Sequence, residues 1–153
     1  MSGERFTLDT NILVYSLDRA SGDRRERAER IIEQARRSDC WLTLQSVSEF
    51  YVAVTRKRLV RRSEAAAQAN DWLEMFSTVA PSANAIRAAF ASADTGRASY
   101  WDALLIATAA EAGCTAMLTE DMVDGSILHG VRILNPFAGD AIPPAVLALL
   151  SED

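Results

Sequence analysis

Residues 99–121 read SYWDALLIATAAEAGCTAMLTED, and this stretch carries the repeating unit of the fold. Ser99 suits a helix N-cap, and Asp102 falls in the first turn that follows it. The apolar residues after Asp102 leave almost no polar face, so the helix is buried all round. It ends near Gly113, a residue type favoured just past a helix C-terminus. Residues 115–118 then form a short apolar strand, which Thr119-Glu120-Asp121 terminates. A buried helix feeding directly into a fully apolar strand suits a parallel sheet covered on both faces.

The same alternation runs through the rest of the chain. Strands are expected at 5–8, 41–44, 77–80 and 131–134, and helices at 24–37, 46–58, 63–76, 83–93 and 143–151. A short helix is expected from Thr10 to Leu17. In the helix at 24–37, Ala28, Ile31, Ile32 and Ala35 have helical spacing. Ser46 and Ser63 are the expected caps of the helices that follow them. The fold class is therefore α/β, a three-layer α/β/α sandwich around a short parallel sheet. Residues 1–153 read as a single domain, with no repeat and no linker-like segment.

Composition narrows the function. Hydrophobic residues make up 49% of the chain and charged residues 24%, which fits a protein with a real core. No apolar run is long enough to cross a bilayer, and residues 1–20 lack a secretory pattern. Cys40 and Cys114 are the only cysteines and read as reduced, buried thiols. The expected location is the cytoplasm. Net charge is −5, but it is unevenly spread. Residues 1–62 hold 13 of the 16 basic side chains against 9 acids, a balance of +4; residues 63–153 hold 3 against 12, a balance of −9.

Four acids fall at equivalent places. Asp9 ends the first strand, Glu49 lies in the first turn after the second, Asp102 opens the buried helix, and Asp121 follows the strand at 115–118. In an open α/β sheet these places share one edge, where ligands bind. Each acid alone has a plainer reading: Asp9 as a helix cap, Ser46-x-x-Glu49 and Ser99-x-x-Asp102 as capping boxes, Asp121 as a turn residue. Together they create an electrostatic problem. Two like charges about 4 Å apart repel by about 4 kcal/mol at an effective dielectric of 20. A divalent cation would relieve it, and oxygen-only ligands favour Mg²⁺ or Mn²⁺ over Zn²⁺. His129, the sole histidine, reads as a turn residue.

These residues resemble the motifs of PIN-domain nucleases, and of their VapC-type toxin branch. The resemblance rests on Asp9-Thr10-Asn11, on Ser48-Glu49-Phe50, and on Tyr100-Trp101-Asp102-Ala103-Leu104-Leu105. It continues with Leu118-Thr119-Glu120-Asp121 before Asp124-Gly125, and with 130–137 as the last strand and its exit. It implies a metal-dependent endoribonuclease with Asp9, Glu49, Asp102 and Asp121 as catalytic, metal-binding acids. Asn11 and Asp124 would be accessory, Asp124 being the rival to Asp121 as fourth acid. It also implies a homodimer and a cognate antitoxin protein that neutralises the RNase.

RNA needs positive charge. Arg56, Lys57, Arg58, Arg61 and Arg62 carry five positive charges with no acid among residues 56–62, and are the expected phosphate contacts. Arg24, Arg25, Arg27, Arg30, Arg36 and Arg37 alternate with Glu26, Glu29 and Glu33 and read mainly as a solvated, ion-paired face. Arg97 is a further candidate near the crevice. Two other classes stay open: a Mg-dependent phosphoryl-transfer or phospho-receiver domain, which needs a lysine that only Lys57 could supply, and a non-catalytic binding module.

Overall fold

The computed structural model describes residues 3–150. Four strands form one sheet in the order β1 (Phe6–Leu8), β4 (Ala116–Leu118), β6 (Val131–Leu134), β5 (Ile127–Leu128). β1, β4 and β6 are mutually parallel and β5 runs antiparallel at the edge. β2 (Trp41–Thr43) pairs in parallel with β3 (Ser77–Val79), and a single parallel bridge from Phe6 to Cys40 joins this pair to β1. Every residue of β1 and β4 is buried, as an apolar strand with helices on both faces requires.

Among the described residues seven α-helices flank the strands: α1 (Thr10–Tyr15), α2 (Asp23–Ala35), α3 (Leu44–Arg56), α4 (Arg62–Met75), α5 (Ala83–Asp94), α6 (Tyr100–Glu111) and α7 (Pro144–Leu149). α6 buries Ala103 through Ala109 without interruption. The main core gathers Phe6, Leu8, Ile12, Ile31, Phe50 and Val54 with their neighbours, and Phe50 meets Trp72 edge-on at 4.6 Å. Cys40 and Cys114 are both buried free thiols, and burial raises each pKa, that of Cys114 to about 12.

Three local expectations need correction. α3 begins at Leu44, because the Thr43 hydroxyl accepts the Ser46 N–H at 3.0 Å while Ser46 Oγ donates back to the Thr43 carbonyl at 2.9 Å. Ser46 is therefore not the cap, there is no Ser46–Glu49 capping box, and Glu49 lies in the second turn. Ser63 does not cap α4: the N-cap is Arg61, which makes no side-chain capping bond. The sequence reading also missed β5. His129 and Gly130 have φ of 52° and 76°, the positive values that a two-residue hairpin between β5 and β6 demands.

Candidate active site

The parallel pairing of β1 with β4 brings together the chain's first and last candidate acids. The ladder continues one step past the strands, with the Asp9 N–H donating to the Leu118 carbonyl at 3.0 Å. Asp9 thus leaves the sheet beside Thr119. It occupies the N-cap position of α1 but makes no side-chain capping bond, so the plain helix-cap reading fails. The residue is only 6% exposed, and its carboxylate accepts the Thr119 hydroxyl at Oδ2, 2.7 Å away. The same hydroxyl accepts the Asp121 N–H at 3.1 Å, and Asn11 Nδ2 donates to Asp121 Oδ2 at 2.7 Å. Thr119 and Asn11 therefore clasp Asp9 and Asp121 into one unit.

Asp102 joins from α6. Ser99 caps the helix by accepting the Asp102 N–H at 3.2 Å. Among the described residues no bond from the Asp102 carboxylate completes a capping box, which leaves the carboxylate for the crevice. Asp102 and Asp121 line one cavity of about 610 Å³ with Glu120, Arg97, Met122 and Ile127. The Asp9 carboxyl pKa rises from 3.8 to about 7. Burial is the main cause, the Thr119 bond opposes it, and the charges of Asp121 and then Asp102 add to it.

Glu49 stands apart from this trio. Its Oε1 accepts Gln45 Nε2 at 2.6 Å, and it lines a neighbouring cavity with Gln45, Val52, Arg56 and Trp101. Asp124 is committed elsewhere: its Oδ1 accepts the Asn135 N–H at 3.0 Å, which ties the 119–126 loop to the end of β6. The sequence marks neither Thr119, a fully buried hydroxyl after a strand, nor Glu120, which is held by Arg24 at 3.0 Å and by the Tyr15 hydroxyl.

The arginines divide by environment. Arg25, Arg36 and Arg37 pair with Glu29 or Glu33, as expected of a solvated face. Arg27 instead donates to the carbonyls of Pro136 and Gly139, at 3.2 Å each. Arg56, Lys57, Arg58, Arg61 and Arg62 are all exposed. Arg58 and Arg61 face Arg19 and Arg25 across a cavity of about 630 Å³, whereas Arg56 faces the Glu49 cavity. Lys57 is the exposed C-cap of α3, at the opposite end of that helix from the strand edge, where it cannot steady a phosphoryl group on Asp9. His129 is an exposed turn residue whose Nε2 lies 2.8 Å from Ser92 Oγ.

The chemistry of the trio suits a hard divalent cation. All donors are oxygens, and burial first, then the charges of Asp121 and Asp102, oppose the ionisation of Asp9. As they stand, no three acidic, histidine or cysteine side chains among the described residues are placed to hold a metal ion together. The three acids are electrostatic neighbours.

Several solved structures share this fold. VapC20 of Mycobacterium tuberculosis, described as a Sarcin-Ricin loop cleaving toxin, has a TM-score of 0.59 at 16% identity, covering 79% of this chain and 91% of its own. A toxin–antitoxin complex from Klebsiella pneumoniae gives 0.57 at 24%, covering 82% and 93%. VapBC2 of Rickettsia felis, bound to a DNA fragment from its promoter, gives 0.63 at 13%, covering 86% and 98%. Comparison with curated protein sequences gives no match. The family model for the PIN domain matches residues 6–123, a span that runs from β1 through the Thr119–Asp121 clasp. The chain belongs to the PIN-domain family.

Proposed function

We propose that the protein is a Mg²⁺- or Mn²⁺-dependent endoribonuclease, the toxin of a toxin–antitoxin pair. The observation that carries this reading is the Thr119–Asn11 clasp that holds the buried Asp9 carboxylate beside Asp121, with Asp102 on the same crevice, at the sheet edge of a PIN domain. Asp9, Asp102 and Asp121 would hold the ion, with Glu49 completing the site from α3. When bound, the ion supplies charge neutralisation at the phosphate and a more acidic water.

The chain's own residues do the rest. Thr119 and Asn11 fix the orientations of Asp9 and Asp121, and Ser99 fixes the turn that carries Asp102. Arg97 offers a cation at the cavity rim for a phosphate oxygen. Arg58 and Arg61, with Arg56, Lys57 and Arg62, attract the RNA backbone. Without a counter-ion the acids repel RNA, so binding as well as cleavage depends on the metal.

The neighbouring structure described as a toxin–antitoxin complex supports a cognate antitoxin as partner. An antitoxin arginine in the acidic crevice would compete with the metal. A homodimer and a cytoplasmic location belong to the same reading. No helix of the described residues is long and apolar enough to cross a membrane.

The test is cleavage of total cellular RNA by purified protein with Mg²⁺, Mn²⁺ or chelator. Cleavage is expected with either ion and none with chelator. Asp102→Asn should fold normally and cut at least 100-fold more slowly, and near-normal cutting by that variant would overturn the assignment.

A further inference from the structure

A second cavity, of about 660 Å³, adjoins the first turn of α6 and runs along α3. We propose that it is a nucleotide subsite: Trp101 stacks on a base of single-stranded RNA next to the scissile phosphate, and Arg56 holds the backbone beyond it. The inference deepens the nuclease reading and rests on it.

Trp101 immediately precedes Asp102, yet its side chain is 62% exposed, whereas Trp72 is 3% exposed in the core. The ring is braced as well as open. It meets Tyr100 edge-on at 5.0 Å, and Tyr100 is itself stacked on Phe90 at 5.5 Å. The Trp101 carbonyl accepts Gln45 Nε2 at 2.9 Å. An aromatic platform held in place loses little freedom when a base settles on it.

The cavity also has polar groups that a nucleotide can use. Gln45 Nε2 donates to both Glu49 Oε1 and the Trp101 carbonyl, which ties α3 to the first turn of α6. Gln45, Glu49, Val52 and Arg56 follow one another at helical spacing along a single stripe of α3. Gln45 and Arg56 are separated by about 16 Å of helix, which sets an exposed guanidinium at the far end from the acids. A strand stacked on Trp101 would pass its phosphates toward that cation.

The apolar rings could instead meet a second copy of the chain. Two features favour RNA: the cavity adjoins the turn carrying Asp102, and it ends in a cation. A dimer core needs neither.

The test uses fluorescence anisotropy of 5′-labelled 12-residue homopolymer RNAs with the full chain in Ca²⁺. Variants are Trp101→Ala, Trp101→Phe, Trp101→Leu and Arg56→Gln. Trp101→Ala and Trp101→Leu should weaken binding about tenfold or more, and Trp101→Phe should restore most of it. Arg56→Gln should flatten the salt dependence. Leucine keeps apolar bulk but lacks a π face, so wild-type binding by Trp101→Leu overturns the proposal. So does a loss of self-association in sedimentation that accounts for the weakened binding, or no binding by the wild type. Cleavage in Mg²⁺ separates the two readings. RNA cut equally well by wild type and Trp101→Ala would sink the subsite and leave the nuclease. Trp101-dependent binding without any cutting would do the reverse.

Discussion

At the scale of single residues, Asp9 is where the two readings of an acid part company. Its position is that of a helix cap, and sequence spacing alone supports that role. The structure gives the carboxylate to Thr119 instead. The consequence can be measured. A carboxyl whose folded-state pKa is raised is disfavoured in its charged form. The penalty is absent below the unfolded value of about 3.8 and grows as pH rises to about 7, above which it is complete. Chelated protein should therefore lose stability between about pH 4 and pH 7. Asp9→Asn should remove most of that loss, on the order of 2–4 kcal/mol at neutral pH, while abolishing cleavage. Thermal melts in chelator across pH check this; a variant no more stable than wild type at pH 8 would refute it. Thr119→Val removes the bond that opposes the upward shift, so the midpoint of the same stability loss should move to higher pH. Nothing in the sequence singles out Thr119. A threonine after a strand is ordinary, and its importance appears only when β1 lies beside β4.

Elements were legible where one signal dominated. The all-apolar helix after Ser99 and the strand at 116–118 are found almost as read, because a segment buried on every side leaves no alternative register. α3 was placed two residues late because Thr43-Leu44-Gln45-Ser46 and Ser46-Val47-Ser48-Glu49 each offer a plausible start. The choice falls on Thr43 because β2 ends there and its hydroxyl is buried against Ser46. β5 was missed because two residues are too short to show alternation. Its evidence was the His129-Gly130 turn between apolar pairs, a weaker hairpin signal than Asn-Gly. The caps carry a prediction. Ser99→Ala should cost about 1 kcal/mol by loss of the bond to the Asp102 N–H, and Thr43→Ala a similar amount. Their effects on cleavage should differ. Loosening the turn that carries Asp102 should lower kcat. Loosening the start of α3 should act mainly on stability, since Glu49 lies a turn further along and is held by Gln45. Equal kcat losses in folded protein would contradict that division.

At the scale of the whole molecule, the sequence showed a charge imbalance but not its geometry. Thirteen basic side chains in residues 1–62 could have formed a single face. The fold instead places Arg25, Arg36 and Arg37 in ion pairs along α2 and just past its end, and Arg24 on Glu120. Arg58 and Arg61 differ. Arg61 comes no closer than 3.9 Å to Glu64, and both residues open onto a cavity shared with Arg19 and Arg25. Exposed cations with weak internal partners have the most to gain from phosphate. Each phosphate neutralised releases condensed counterions, so affinity for single-stranded RNA falls with salt by a slope of about 0.7 per contact. Reversing both charges, Arg58→Glu with Arg61→Glu, should weaken binding most at low salt and reduce the slope by about 1.4. The same reversal at Arg36 and Arg37 should change the slope little, because Glu33 already occupies them. Arg58 has a φ of 55°, so its substitution needs a melt to confirm that the α3–α4 turn survives. Equal slopes for the two double variants, both folded, would show that RNA does not distinguish paired from unpaired arginines on this surface.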